Sequence, residues 1–316
     1  MTDNFSPPWG KFSKRIDDSM SVEDILTVTG ADYDVILSPV QVENIVTGKF
    51  VTVKDRFVTG RLDISSGAMI NWEVVKGRYE VLPNSILVEK TKGLYSSLKN
   101  RQFDCSLDFS STIEDGRKYF TSIRMADSYC CGDEFANYIV IMTSHDGSSP
   151  ITYYFLNVRK STGTVFRISN KFVNNYIKKR HTPSTEAWKS EHNEVIDQLN
   201  KWNSYFYESL KTLHTIDYQS FNVMKVLDVI WPEDDDSSDR KIRHRQEVKS
   251  IINKLYNAEY NSEQIGKNGL ALFSSACDYY DNYRNVSLES SAEQALELDN
   301  FVNRMKIDAY EKILGE

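Results

Sequence analysis

The chain has 316 residues, 40% of them hydrophobic and 12% aromatic, and a formal charge of −7. This composition buries too much apolar surface for a disordered chain, and no apolar run approaches the roughly 18 residues that a membrane-spanning helix needs. The four cysteines, Cys105, Cys130, Cys131 and Cys277, lack C-x-x-C spacing, so they read as reduced thiols rather than a disulfide framework or a zinc site.

Residues 1–20 are polar, carry Pro7, Pro8 and Trp9, and read as an extended arm without a signal peptide, which points to the cytoplasm. Residues 21–30 predict a short helix, with Ser21 as N-cap, Asp24 three residues on and Gly30 as the stop. From Asp32 the period changes towards 2: Tyr33, Val35 and Leu37 alternate, residues 50–53 and 56–62 read as a hairpin, and residues 72–75 as a further strand. Residues 84–98 predict a helix with Ile86, Leu87, Leu94 and Leu98 inward. Residues 103–109 and 119–125 predict strands around a turn at Glu114-Asp115-Gly116-Arg117, and residues 135–142 and 151–158 are the strongest strands.

After about residue 168 the pattern becomes helical. Val195, Leu199, Trp202, Phe206 and Leu213 form a packing seam within residues 186–213, and a second helix covers 221–230. Residues 233–239 are an acidic linker, and residues 241–256, 270–283 and 292–314 are the remaining helices. The expected organisation is an arm (1–20), a β-rich core (21–168), a helical extension (169–232), the linker, and a helical region (240–316). The fold class is α+β, an antiparallel β-rich N-terminal half followed by a helical C-terminal half.

Residues 147–185 contain no Asp or Glu. They hold seven cations, Arg159, Lys160, Arg167, Lys171, Lys178, Lys179 and Arg180, so the remainder of the chain carries −14. Aromatics lie among them, and basic residues interleaved with aromatics suit nucleic acid. Asp146-Gly147 between two strands is a hairpin signal. A two-residue turn there pairs residues whose numbers sum to 293. It places Tyr138, Val140, Met142, Tyr153, Phe155 and Arg159 on one face, and Ile139, Ile141, Tyr154, Leu156 and Val158 on the other. The second face is core. The first is either covered core or a platform on which Tyr153 and Phe155 stack on bases beside a phosphate held by Arg159. A one-residue slip would exchange one strand's faces. Residues 170–180 read as an amphipathic helix capped by Ser169, with Lys178 to His181 at its C-terminus, where cations also complement the helix dipole.

No H-E-x-x-H, P-loop, G-x-G-x-x-G or G-x-S-x-G motif occurs, so no catalytic residue, cofactor or metal site is assigned and a binding protein is expected. His192 falls on the helix seam as a structural residue. Ser144, His145 and Asp146 read as a turn with Asx-type hydrogen bonding. Asp104, Asp108, Asp127, Asp133 and Glu134 sit at strand ends without a specific spacing.

Several motifs resemble the phage/plasmid-like protein family, a domain family of unknown function found in phages, plasmids and integrated elements. They are Pro8-Trp9-Gly10; the run from Ile25-Leu26 through Gly30 and Asp32-Tyr33 to Pro39; Gly77-Arg78-Tyr79 with Val81 and Asn84; Thr143-Ser144-His145-Asp146-Gly147-Ser148; Val158-Arg159; Arg180-His181-Thr182; and Ala276, Tyr280, Asp281 and Arg284. The resemblance spans nearly the whole chain. Thr143 stands where the family usually has Asn. A Cys-x-Asn motif after the Val-Arg pair is missing, with Ser161-Thr162-Gly163 in that region, which argues against cysteine chemistry. The family's gene neighbours imply a role in DNA metabolism.

The expectation is therefore a phage-encoded single-stranded DNA-binding protein, an annealing or recombination accessory, acting as a homo-oligomer in the bacterial cytoplasm without membrane contact. The seven cations would hold phosphates, and His145 and Asp146 would shape the hairpin tip. Two alternatives stand beside it: a structural protein that engages an acidic partner or docks its own acidic remainder, and a metal-dependent nuclease built on the strand-end carboxylates.

Overall fold

The computed structural model describes residues 5–62, 66–169, 173–179, 185–218, 223–232, 238–284, 287–297 and 300–315. In chain order the elements are β1 (Lys14–Arg15), α1 (Val22–Thr29), β2 (Val35–Asn44), β3 (Lys49–Leu62), β4 (Met69–Lys76), α2 (Asn84–Asn100), β5 (Cys105–Ile113), β6 (Lys118–Cys130), β7 (Asp133–Ser144), β8 (Ile151–Arg159), β9 (Thr164–Val165) and β10 (Tyr176–Lys179). Helices follow: α3 (Thr185–Thr215), α4 (Val223–Ile230), α5 (Asp239–Tyr256), α6 (Glu259–Ser262), α7 (Gly269–Asn282), α8 (Leu288–Leu296) and α9 (Phe301–Leu314). The fold is α+β, with antiparallel sheets first and helices after.

The main sheet has the order β1-β5-β6-β7-β8-β10, and β9 also pairs with β8. Both of its faces are buried. Ile139, Ile141, Tyr153 and Phe155 pack with Leu87 and Leu94 of α2 and with Trp202 and Phe206 of α3. Tyr138, Val140, Met142, Tyr154 and Leu156 pack with Trp9 and with Ala292, Ala295 and Leu296 of α8. A sheet covered on both sides reads as continuous apolar strands, as β7 and β8 do. Trp9 meets Tyr138 edge to face at 5.1 Å, so part of the expected extended arm is core.

Local signals place several elements. Ser21 and Asp24 close a capping box on α1, and Gly30 ends the helix in the left-handed region at φ 66°. Cys131 and Gly132, at φ 52° and 87°, form the tight turn between β6 and β7 that a hairpin's right-handed twist favours. All four cysteines are free.

Four expectations are corrected. Residues 50–53 and 56–62 are not two arms of a hairpin but one strand, β3, with a left-handed residue at Asp55 (φ 59°); its partners are β2 and β4. The β7–β8 hairpin pairs residues summing to 294, as in Ile139 with Phe155 and Tyr138 with Leu156. The loop is longer than two residues: the Ser148 amide donates to Asp146 Oδ1 (2.8 Å), and Ser144 Oγ bridges to the Ser149 amide and carbonyl. Residues 176–179 form β10 rather than the end of a helix, because the open edge of β8 takes them as a strand, Tyr176 opposite Tyr154 and Lys179 opposite Ile151. The helical extension therefore starts after the sheet is complete. The last predicted helix is two, α8 and α9, the second capped by Asn300.

The second sheet, β2-β3-β4, is separate. Pairing between β3 and β4 reaches only Arg56, whereas β2 and β3 pair on to Asn44 and Lys49. The distal part is thus a two-stranded ribbon projecting past the third strand.

Candidate nucleic-acid interface

The acid-free segment does not form one basic surface. Arg159 is fully buried: its guanidinium pairs with Asp133 and Asp278 (3.4 Å) and donates to Asn261 Oδ1 (2.7 Å) and the Tyr260 carbonyl (2.8 Å). Lys160 pairs with Asp127 (2.8 Å) and Glu134 (3.0 Å), and Lys179 with Glu194. Arg167 is buried, donates to the Ala295 carbonyl, and is lowered to about pKa 10 by burial, against the charges of Tyr154 and Asp281. Acids from β6, β7, α3 and α7 thus neutralise Arg159, Lys160 and Lys179, whereas buried Arg167 meets only a carbonyl. Of the described cations in the set, Lys178 alone is exposed; it lies over the Tyr176 ring at 5.2 Å. Lys171, Arg180 and His181 lie outside the described residues.

Tyr153 and Phe155 cannot stack on bases, because both are buried under α2 and α3. The Tyr153 hydroxyl donates to Glu191, which also pairs with buried Lys90 at 3.1 Å. Burial raises the Tyr153 pKa and, against the pull of Glu191, lowers that of Lys90. His192 is equally structural. It lies within 3.0 Å of Ser97 Oγ, and burial lowers its pKa.

Four of the five strand-end carboxylates, Asp108, Asp127, Asp133 and Glu134, are likewise occupied. Asp108 pairs with Arg15 (3.0 Å), Asp127 with Arg124 and Lys160, and Asp133 with Arg159. Among the described residues no group of three or more His, Cys, Asp or Glu is placed to hold a metal ion.

The motif residues instead meet at one corner, where the smaller sheet joins the end of the main sheet. His145 Nε2 donates to Asn84 Oδ1 (2.8 Å), and Asn84 Nδ2 donates to the Ala31 carbonyl (2.9 Å). The His145 ring stacks on Trp72 of β4 (5.7 Å, 23°) and meets Tyr33 edge-on at 6.3 Å. Tyr79 donates to the Ser144 carbonyl (3.2 Å), and Tyr33 to the Gly116 carbonyl (2.6 Å). Burial raises the Asp146 pKa, but hydrogen bonds from Ser148, Arg117 and Ser144 outweigh it and bring the carboxyl down to about 2. His145 therefore joins the smaller sheet to the main one, and Asp146 holds the β7–β8 loop to Arg117 just before β6.

Beside this corner is an open groove of about 620 Å³, lined by Lys76, Arg78, Tyr79, Asp146 and Gly147. Val74 and Val75 at the end of β4 line it as well. Arg56 and Lys76 stand directly opposite each other across β3 and β4. Like charges in that position are destabilising unless something anionic lies between them. Beyond them the ribbon exposes Ile45 (95%), Val46 (88%) and Phe50 (68%), next to Lys49 and Lys54. Residues 35–78 hold six cations, Lys49, Lys54, Arg56, Arg61, Lys76 and Arg78, against four carboxylates, Glu43, Asp55, Asp63 and Glu73. This region was missed from the sequence because its charge excess is smaller than that of residues 147–185. The available signal was an apolar tip at a glycine turn, Ile45-Val46-Thr47-Gly48, where loops are ordinarily polar.

No curated protein and no solved structure matches the chain. The family match covers residues 71–305, so the N-terminal motifs around Trp9 and Tyr33 lie outside it. Within it fall the Gly77-Arg78-Tyr79, Ser144 to Ser148 and Tyr280 to Arg284 motifs, and the chain belongs to the family described as a domain of unknown function, DUF932.

Proposed function

We propose that this protein is a non-catalytic single-stranded nucleic-acid-binding protein that uses the β2–β4 sheet, its groove and its projecting ribbon as the contact surface. The observation that carries this is the facing pair Arg56 and Lys76, which a bridging phosphate would relieve, on a ribbon ending in exposed apolar side chains. Lys49, Lys54, Lys76 and Arg78 supply further phosphate contacts, and Phe50 supplies a ring for stacking, worth roughly 1–3 kcal/mol per base. A two-stranded ribbon is marginal by itself, and exposed apolar groups at its tip gain by covering a partner. The setting we infer is DNA metabolism of a phage or plasmid in a bacterial cytoplasm, with annealing or recombination as the process and self-association along the strand. No described helix is long and apolar enough to cross a membrane.

Fluorescence anisotropy with single- and double-stranded oligonucleotides at two salt concentrations tests the reading. The expected result is tighter binding to the single strand, with affinity falling as salt rises. Combined replacement of Lys54, Arg56 and Lys76 by Thr should abolish it, and Phe50→Ser should weaken it about tenfold or more. Absence of binding at low salt, or binding that these variants leave unchanged, overturns the proposal.

A further inference from the structure

A second groove, of about 830 Å³, lies where β5 begins and β6 ends, and the function proposed above does not use it. Its floor is apolar: Ile16, Cys105, Leu107 and Met125 line it and are buried. Its lining also holds four carboxylates, Asp17, Asp104, Asp108 and Asp127, against two guanidinium groups, Arg15 and Arg124. Asp108 pairs with Arg15 and Asp127 with Arg124, so the excess negative charge falls on Asp17 and Asp104, at exposed positions.

A sheet edge is open beside this groove. β1 pairs only with Phe109 and Ser110, and the Ile16 amide adds one bond to the Asp108 carbonyl (2.8 Å). Among the described residues no strand pairs with the outer side of Cys105–Leu107. Those three residues include no Lys or Pro, by which edge strands commonly exclude a further strand.

The ribbon tip has the complementary make-up. Asn44 Oδ1 accepts from the Val46 (3.0 Å) and Thr47 (3.1 Å) amides, and the Asn44 carbonyl accepts from the Gly48 amide (2.7 Å). Gly48 takes the left-handed φ of 66° that closes this turn. Ile45 and Val46 are thereby held out in water, so the tip does not fill a groove of its own chain. Lys49 and Lys54 flank them against one acid, Glu43, and the outer edge of β2 is unpaired.

We propose that the ribbon tip of one copy docks in this groove on a second copy. Ile45 and Val46 meet the apolar floor, Lys49 meets Asp17 and Asp104, and the outer edge of β2 lies along Cys105–Leu107. Strand addition of this kind joins backbone hydrogen bonds to pockets for alternate side chains. The two surfaces lie at opposite ends of the β5–β6 hairpin. Tyr33 and Arg61, at the root of the ribbon, donate to the Gly116 (2.6 Å) and Asp115 (2.9 Å) carbonyls in the hairpin turn. The groove is at the other end, roughly 25 Å away along the strands. A contact between two different patches is heterologous, so a second copy still offers a tip to a third. Arg56 and Lys76 stand back from the tip, and the inference does not rest on their binding nucleic acid.

Sedimentation equilibrium of the full chain without nucleic acid tests it. The expected result is a mass that rises with concentration beyond that of a dimer. Ile45→Asp with Val46→Asp removes the tip, and Asp104→Lys with Ser106→Lys blocks the groove; all four positions are exposed. Each double variant should sediment as a monomer and melt as the parent chain does. Mixed in equal amounts they should form one-to-one dimers and nothing larger, because the mixture retains one working tip and one working groove. A parent chain that stays monomeric up to about 0.1 mM overturns the proposal. So does a mixture that stays monomeric, or self-association of the groove variant, which would place the contact between two tips. The Lys54, Arg56 and Lys76 triple variant should assemble as the parent chain does, and its loss of assembly overturns the proposal as well. Because that variant separates assembly from oligonucleotide binding, failure here leaves the nucleic-acid reading to its own test.

Discussion

Removing the Arg159 guanidinium would strand Asp133 and Asp278 in the interior with no counter-charge. Breaking a buried pair costs more than the pair is worth, because the remaining ion has lost its water. Arg159→Met is therefore expected to lower unfolding free energy by about 3–5 kcal/mol in urea titration. Any effect on oligonucleotide affinity should vanish once the folded fraction is accounted for. Asp146 gives a pH signature. Its carboxyl is about 2 in the folded chain against 3.8 ordinarily, so its contribution is complete above about pH 4 and is lost as pH falls towards 2. A difference of nearly two pH units corresponds to roughly 2 kcal/mol. Asp146→Asn should therefore be less stable than the parent at pH 7, with the gap closing between pH 4 and 2, as read from thermal melts across that range.

At the scale of elements, the smaller sheet carries an internal conflict that separates binding from folding. If Arg56 and Lys76 are retained for an anion, removing either should relieve the unbound chain. Lys76→Thr is expected to raise stability by about 0.2–1 kcal/mol while weakening oligonucleotide binding. Calorimetric melting and anisotropy on the same preparation check both signs. If that substitution lowered stability and left affinity unchanged, the pair would be an ordinary surface feature. The corner formed by His145, Asn84, Trp72 and Tyr33 matters here because it fixes the direction of the ribbon. His145→Ala would leave a buried amide oxygen of Asn84 without its donor, at a cost of about 1–3 kcal/mol. Its effect on binding is expected through ribbon placement rather than through any contact with the ligand.

At the scale of the whole molecule, the helical region and the sheet share buried charges across their junction. Arg159 reaches α6 and α7, and Lys306 of α9 donates to the Val165 carbonyl (2.9 Å) and pairs with Asp281. Lys118 of β6 pairs with Glu293 (2.7 Å) and Glu297 (2.5 Å) at α8. A chain ending at residue 238 would leave Arg159 and Lys118 without these partners and the α8-covered face of the sheet open. It is expected to show no cooperative thermal transition by near-ultraviolet circular dichroism, whereas the full chain melts as one unit. A cooperative melt of the shortened chain would mean that the two regions fold independently.

Short-range chemistry made much of this architecture legible from residues alone. The Ser21 cap, the Gly30 stop, the helical seam through Trp202 and the strands around Ile139 and Leu156 depend on neighbours a few residues away, so periodicity carries them. Membership of a domain family of unknown function was legible too, from the motifs around Arg78, His145 and Tyr280, which lie within the matched residues. Whether a charge faces water is not a local property. The cations of residues 147–185 suggested a phosphate surface, yet Asp133, Asp278 and Glu194, from other parts of the chain, neutralise several of them. The same distinction applies to residues 176–179, whose amphipathic spacing suits a helix until the open edge of β8 supplies strand partners. It applies again to Tyr153 and Phe155, which a single step in hairpin register moves onto the face covered by α2 and α3. The sequence alone determined the α+β class, most of the helices and strands, and membership of a domain family of unknown function; tertiary structure decided the strand at residues 176–179 and which charges remain exposed, because edge pairing, burial and ion pairing are settled by residues distant in the chain, some more than a hundred positions apart.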